Sequence, residues 1–341
     1  MFIRSAKKQE DLMLTKRQNL IECINGGNPD RYVNQYEAFH LITPMIKYDL
    51  SHMESDGYMI DDWGVYQKSQ GNMGVFPMHD MEHRVIKDIC NWKNEIIPPK
   101  NPDCAEIWEP LQAEAEATDR NEQFVTSVCI PGMLERCHHL MELSECMAAF
   151  YEEPEEMEEL IAMITDYELE IAKCHIKYIK PDALLHHDDW GTKLSSFMAP
   201  DMLEEFFLKP YQKVYGYYKD HGVQLIVHHS DSYGETLLPM MEKVGIDIWQ
   251  GCLRTTNDLP RLVKEWGNRI TFMGGIENAM IDKPDWTEEE VVTEVNTALD
   301  FVHSNVHYIP CMTSGLNSSN FPGVYDTVSR IIDERSAADF A

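Results

Sequence analysis

No stretch of this chain approaches 18 consecutive apolar residues, so no segment reads as a membrane-spanning helix. The opening residues, MFIRSAKKQEDLM, lack the apolar centre of a secretory leader. Positive charge is scarce: 29 lysines and arginines stand against 58 aspartates and glutamates, a formal net charge of −29. Such a surface repels nucleic-acid phosphate and anionic lipid, and no basic cluster follows a groove-like pattern. The nine cysteines are odd in number, scattered and without a CxxC pair, which argues against a disulfide scaffold and for a reducing cytoplasm. No GxGxxG lies between a strand and a helix, and no GxxxxGK[ST] occurs, so neither a dinucleotide fold nor a P-loop is supported. The chain is still a folded one. Its 341 residues are 43% hydrophobic, with 7 Trp, 15 Tyr and 12 Phe, enough for a large core.

The first third is irregular. Residues 14–24 read as a helix stopped by Gly26 and Gly27, and residues 56–77 as a pair of strands. Across residues 91–121, Pro98, Pro99, Pro102 and Pro110 argue against a long helix. From QFVTSVCI at residue 123 the pattern becomes regular, with short apolar strands at 123–130, 182–186, 223–227, 246–249, 270–273 and 307–309. Helical stretches separate them, one running from the Pro131-Gly132 turn through Phe150 and one over 200–220, broken or kinked near Pro210. Strands and helices alternating at this spacing predict a parallel sheet. With one or two further strands in the first third, an α/β (β/α)₈ barrel fits better than a doubly wound sheet. The expectation is a single domain over 1–341, with an irregular helical and hairpin N-terminal extension in 1–121.

In such a barrel the C-terminal strand ends form the active face. Those ends carry His187, Asp188 and Asp189; His228, His229, Ser230 and Asp231; Gln250 and Cys252; Gly274, Gly275 and Glu277; and Cys311. Bland roles exist for several of them. His186 and His187 can be packing residues, Asp188 and Asp189 loop caps, and Cys311 an inert small hydrophobe. Met73, Met78 and Met81 read as core or lid packing. The functional reading is a metal site of His229, Asp231 and Cys311, because imidazole, carboxylate and thiolate all ligate zinc and a catalytic zinc keeps one position open. His229 and Asp231 share a face if the backbone stays extended. Glu235 or Cys252 can replace either partner, and His228, on the other face, can support the site from behind.

Four stretches, LTKRQNLIECINGGNPDRYV, CIPGMLERCHHLMELSECMAAFYEEPEEMEELI, the long run from ALLHHDDWGTK to GIDIWQ, and HYIPCMTSGLNSSNFPGVY, resemble the uroporphyrinogen decarboxylase superfamily in family order. The resemblance implies a (β/α)₈ barrel with its site at the C-terminal mouth. Decarboxylases of that superfamily hold substrate carboxylates with an N-terminal arginine-rich stretch beside a catalytic Asp. Here Pro29-Asp30-Arg31 is followed by YVNQYEAF, and between the first helix and residue 90 the basic residues are Arg31, Lys47, Lys68, Arg84 and Lys87. The cobamide-dependent methyltransferase branch holds zinc through HxC at this strand end and a late cysteine. This chain has His229-Ser230-Asp231 instead, which leaves a stronger Lewis acid, and Cys311 lies near the late position. The resemblance therefore implies a zinc-dependent methyltransferase or demethylase of a corrinoid system. It would act on a small methylated molecule, with cobalamin carried by a separate protein docked on the acidic rim, and a homodimer stays open. Asp188, Asp189, Asp62 and His229 are the candidates for orienting substrate or moving protons. Two alternatives remain: a metal-free decarboxylase of a small aromatic or tetrapyrrole acid using Asp62 and His229, and a barrel subunit that has lost its chemistry.

Overall fold

The strand sequences alternate in burial partner rather than in polarity, as they must when both faces of a sheet are covered. The computed structural model describes residues 13–44, 48–49, 53, 57–71, 74–99, 103–300 and 306–341. Met73 and part of the 56–77 hairpin lie outside the described residues. Strands β1 (Phe39–Ile42), β6 (Phe124–Cys129), β7 (Ala183–His187), β8 (Leu225–His229), β9 (Ile248–Cys252), β10 (Thr271–Ile276) and β11 (Tyr308–Met312) form one curved parallel sheet in that order. On the inner face Phe124, Val128, Leu185, Val227, Ile248, Met273, Ile309 and Cys311 pack together, so the interior is a filled core and not a pore. On the outer face Leu184, Ile226, Trp249, Phe272 and Tyr308 pack against the helices.

Of the expected (β/α)₈ barrel, the described residues show seven paired parallel strands with helices outside them. Among the described residues β1 and β11 do not pair with each other. The segment before β1 bridges them instead: Gln35 N donates to Pro310 O at 3.2 Å, and its side chain accepts from Met312 N at 3.3 Å. Helix α1 (Lys16–Ile24), started by a Thr15–Gln18 capping box, closes the N-terminal end of the sheet through Arg17 to Asp182 and Cys23 O to His307 N. That leaves the opposite end for the mouth.

The N-terminal extension contributes β1 to the main sheet. It also forms a separate antiparallel sheet of β2 (Tyr48–Asp49), β3 (Met59–Asp61), β4 (Tyr66–Ser69) and β5 (Val75–Pro77). Three proline and turn readings are corrected. Helix α2 (Ala105–Ala117) runs through Pro110, anchored by buried Trp108 and Ala115. The helix expected to run through Phe150 is two, α3 (Met133–Met141) and α4 (Leu143–Glu152), because Glu142 turns to φ 80° and caps α4 with its own carboxylate. Helix α5 (Pro154–Cys174) places Pro154 at its first turn with Glu155 and Glu156, where the helix dipole favours acids. Helix α6 (Pro200–Asp220) is continuous through Pro210, and its aromatic face seals the outer side of β7 and β8. Helices α7 (Leu238–Val244), α8 (Leu259–Trp266), α9 (Glu288–Asp300) and α10 (Val324–Asp339) complete the outer layer. No helix among the described residues is long and apolar enough to cross a membrane.

Candidate active site at the sheet mouth

Parallel register sets the site. His187, His229 and Gln250 are successive partners across β7, β8 and β9, so their side chains stand together above the inner core. Their predecessors His186, His228 and Trp249 are also in register and point outward.

Gln250 fixes the tautomer of His229. Its Nε2 donates to the carbonyls of Met312 at 3.2 Å and Ser314 at 3.1 Å, which turns Oε1 toward His229 Nδ1 at 2.5 Å. A carbonyl oxygen only accepts, so Nδ1 carries the proton and Nε2 of the neutral ring keeps its lone pair. Burial and the adjacent His187 hold the pKa of His229 below the usual value, which favours that neutral ring. Nε2 lies 4.0 Å from Asp189 Oδ1. Asp189 Oδ1 also accepts from Asp231 N at 2.9 Å, which brings the Asp231 backbone against it. Burial and the charge of Asp189 push the Asp231 carboxyl up to about 6.

A second pair stands beside the first. The His187 ring lies on that of His229, centroids 4.2 Å apart and tilted by 30°, and its Nδ1 is 3.0 Å from Glu135 Oε2. Glu135 sits in the first turn of α3, and burial, reinforced by Asp189, holds its carboxyl well above the ordinary range. A Cβ at Gly315 would fall 2.8 Å from His187 Cδ2 and 3.2 Å from His229 Cγ, so glycine lets the chain after β11 close over both rings.

The outer residues of the same strands meet different partners. His186 Nδ1 and His228 Nδ1 share the Tyr215 hydroxyl, at 2.7 and 3.0 Å, and His186 Nε2 lies 3.3 Å from Glu168. Asp188 is fully buried. It accepts from Leu134 N at 3.0 Å, Glu135 N at 2.8 Å and the Tyr211 hydroxyl, and so caps α3 from another segment. Burial and Glu135 nonetheless raise its carboxyl to about 7. Gly132 is required at that junction, because a Cβ would lie 2.3 Å from the Asp188 Cβ.

The sequence-predicted residues divide accordingly. His229, Asp231 and Asp189 come together. Cys311 lies in the inner core, where burial pushes its thiol up and Gln250 is its bonding neighbour, the same residue that holds His229. Cys252 donates to Trp249 O at 2.9 Å. The Glu235 carboxylate is committed to Asp258 N and Arg261. His228 backs the outer layer. In the early hairpin Asp61 is buried and bound to Arg136 at 3.2 Å, whereas Asp62 is exposed. The sequence reading missed Glu135, Gly315 and the role of Gln250. Glu135 was findable, since the first regular strand ends just before it and that end was not read.

Among the described residues, two groups of side chains could hold a metal ion by proximity. The ligand atoms of Cys129, Glu168 and His186 lie within 4.8 Å of one another, as do those of His79, His138 and His139.

Residues 135–317, more than half of the chain, match the family model described as Uroporphyrinogen decarboxylase (URO-D). The chain belongs to that family. No curated protein matches it by sequence. Its fold is similar to that of a methyltransferase from Methanosarcina mazei, with a TM-score of 0.62 and 13% identity, covering 94% of this chain and 99% of that one. At that identity the likeness concerns the fold alone. Within the URO-D family, the reaction must be argued from the mouth itself.

Proposed function

We propose that this URO-D family member is a metal-dependent methyltransferase that takes the methyl group from a small methylated molecule and delivers it to a corrinoid presented by a separate protein. The observation that carries the reading is the bare Nε2 of His229, aimed by Gln250 toward Asp189 beside Asp231. An imidazole lone pair and two carboxylates are zinc-type donors, but among the described residues their ligand atoms do not all lie within 4.8 Å of one another, so the Asp189 and Asp231 carboxylates would have to turn toward His229 Nε2 to hold the metal that the resemblance implies. Asp189 takes the third place that sequence reasoning gave to Cys311. The bound ion would polarise the heteroatom carrying the methyl group and make it a better leaving group.

The remaining residues handle the proton. Loss of a methyl cation to cob(I)alamin leaves an oxygen, nitrogen or sulfur anion that needs one proton. Burial raises the Glu135 carboxyl well above the ordinary range, so it holds its proton more tightly than a free carboxylic acid, and His187 stands between it and His229. That pair supplies the proton to the leaving heteroatom. Gly315 and the chain after β11 keep the two rings in place.

The charge of the mouth argues against a polycarboxylate substrate. Glu135, Asp189 and Asp231 converge there. Nearby Arg136 is paired with Asp61, and Arg31 near the first helix is bound to Asp30 at 2.6 Å. A porphyrinogen would meet an excess of acids there, with Lys193 facing Asp231 as a counter-charge.

The test is methylcob(III)alamin formation from cob(I)alamin with a panel of methoxylated aromatics, methylamines and methyl thioethers. We expect turnover with at least one donor, loss of turnover on chelation, its return with added zinc, and its absence in His229→Ala. Carbon dioxide release from a panel of aromatic and pyrrolic acids, with no methyl transfer from any donor, overturns the reading in favour of decarboxylation.

A further inference from the structure

We propose that His79, His138 and His139 form a second cation site, one that takes a zinc-class divalent transition metal and clips the small antiparallel sheet to α3. His138 and His139 are consecutive on α3, so their side chains diverge by about 100° around the helix. His79 comes from the segment after β5 and sits against both. Ring centroids are 5.2 Å from His79 to His138, 5.5 Å from His79 to His139 and 4.8 Å between the two helical rings. One ring nitrogen from each residue lies within 4.8 Å of the others.

The second observation is the state of the buried nitrogens. His138 is only 6% exposed, yet neither of its ring nitrogens has a hydrogen-bond partner in the protein, and Nδ1 of His139 is buried without one as well. A buried polar atom without a partner costs about 1–3 kcal/mol, so three at one spot call for a ligand. Packing explains the carbon edges, where His138 meets the Phe197 ring edge-on at 5.7 Å. It leaves the nitrogens unexplained. The outer histidines differ in degree: His186, His228 and His175 each have a tyrosine hydroxyl on Nδ1 and leave only Nε2 without a hydrogen bond, whereas His138 has neither nitrogen bonded.

The donor set selects the ligand. Three imidazoles and no carboxylate suit zinc, cobalt, nickel or copper and not magnesium or calcium, which take oxygen. Burial keeps His138 and His139 neutral, the form that ligates. Zinc–nitrogen bonds of about 2.0–2.1 Å need the three nitrogens nearer than they stand, and His79 on its exposed segment is the member free to close. The bound ion would tie the small sheet to the helix whose first turn supplies Glu135, next to the mouth but with ligands separate from it. The site is independent of the proposed methyl transfer.

The experiment uses the full chain in a background that disables the mouth, His229→Ala with Asp231→Ala, stripped with chelator and titrated with zinc chloride alone by calorimetry and thermal melting. We expect about one zinc per chain, a Tm that rises with zinc, and no response to calcium. Adding His79→Ala, at an exposed position, should leave the zinc-free circular dichroism and Tm unchanged. It should weaken zinc by at least about 10-fold, since even the partners of ligands cost that much. His139→Asn is the second variant and should do the same. Cobalt(II) in place of zinc should give a visible absorption band that either variant removes. No saturable zinc binding in the mouth-disabled chain, or equal affinity with and without His79, overturns the proposal whatever becomes of the mouth.

Discussion

Two histidine pairs, His186-His187 and His228-His229, occupy the ends of adjacent strands, and within each pair the two members live in different worlds. The outer members, His186 and His228, are fully buried under α6 and bonded to Tyr215. The inner members stack on each other, meet Glu135, Gln250 and Asp189, and leave one lone pair on His229 uncommitted. The residue type is the same and the spacing is one. Strand parity alone sends one ring under α6 and the next to the mouth, and Asp188 and Asp189 divide in the same way, the first capping α3 and the second beside His229. A histidine at a strand end is therefore informative only once its second nitrogen is accounted for.

Substituting both members of one pair breaks the comparison most sharply. His229→Ala should lower methyl transfer by at least about 10²-fold, as losses of positioned acid–base or ligand groups do, on top of the stability cost of removing a ring that is only 2% exposed. His228→Ala should cost stability without that loss of turnover. Removing a buried ring bonded to Tyr215 should cost about 2–4 kcal/mol of stability, read by urea unfolding, with kcat of the folded enzyme within a few-fold of wild type. Equal activity losses in the two variants would mean that the faces are not functionally distinct.

The two aspartates give the next effect. Asp188→Ala orphans the buried N–H groups of Leu134 and Glu135 and the Tyr211 hydroxyl, a loss of about 2–4 kcal/mol by denaturant unfolding. Asp189→Ala leaves α3 capped and should instead lose metal at the mouth, measured by zinc titration with His79 also replaced to silence the other site. A stability loss in Asp189→Ala as large as that in Asp188→Ala would place both in the scaffold.

Much of this was legible in the sequence for a physical reason. Strands buried on both faces are continuous apolar runs, and six of the seven main strands announced themselves that way. β1 did not, because FHLI is short and lies in an irregular region. Pro110 and Pro210 misled because tertiary packing of Trp108 and of the α6 aromatics outweighs the local cost of proline. The strand-end rule pointed to His229, Asp189 and Asp231, which stand near one another at the sheet mouth. It could not find the tie between Cys311 and Gln250, since which neighbour a side chain meets across a sheet depends on register. The orphaned nitrogens of His138 are invisible in a helix that reads as RCHHLM.

The outer pair also carries a pH signature that sharpens the contrast. Burial alone would lower the pKa of His186, but Tyr215 and the Glu168 carboxylate raise it well above the usual value. The folded chain then keeps a proton that the unfolded chain sheds above about pH 6.5. This contribution is complete below that pH and declines as pH rises toward the folded pKa, by at most about 1.4 kcal/mol per pH unit. Wild type should therefore lose stability as pH rises above about 6.5, measured by urea unfolding. Glu168→Gln should flatten that slope without moving the pH dependence of turnover. An unchanged slope in Glu168→Gln would show that His186 is neutral.

The smallest effect belongs to Glu235, which sits four residues beyond Asp231 and would be a natural metal ligand if only sequence distance counted. Its two oxygens are turned to Asp258 N and the Arg261 guanidinium. Arg261 is 41% exposed, so water screens the pair. Glu235→Gln keeps an acceptor for Asp258 N and removes only the charge. The expected cost is about 0.2–1 kcal/mol, a Tm shift near the limit of detection, with zinc affinity and methyl transfer unchanged. Because the expected change is so small, the variant is a strict control on the map of the mouth. A 10-fold drop in zinc affinity in Glu235→Gln, with folding intact, would mean that this carboxylate swings inward to the His229 lone pair and that Asp189 is not the third donor.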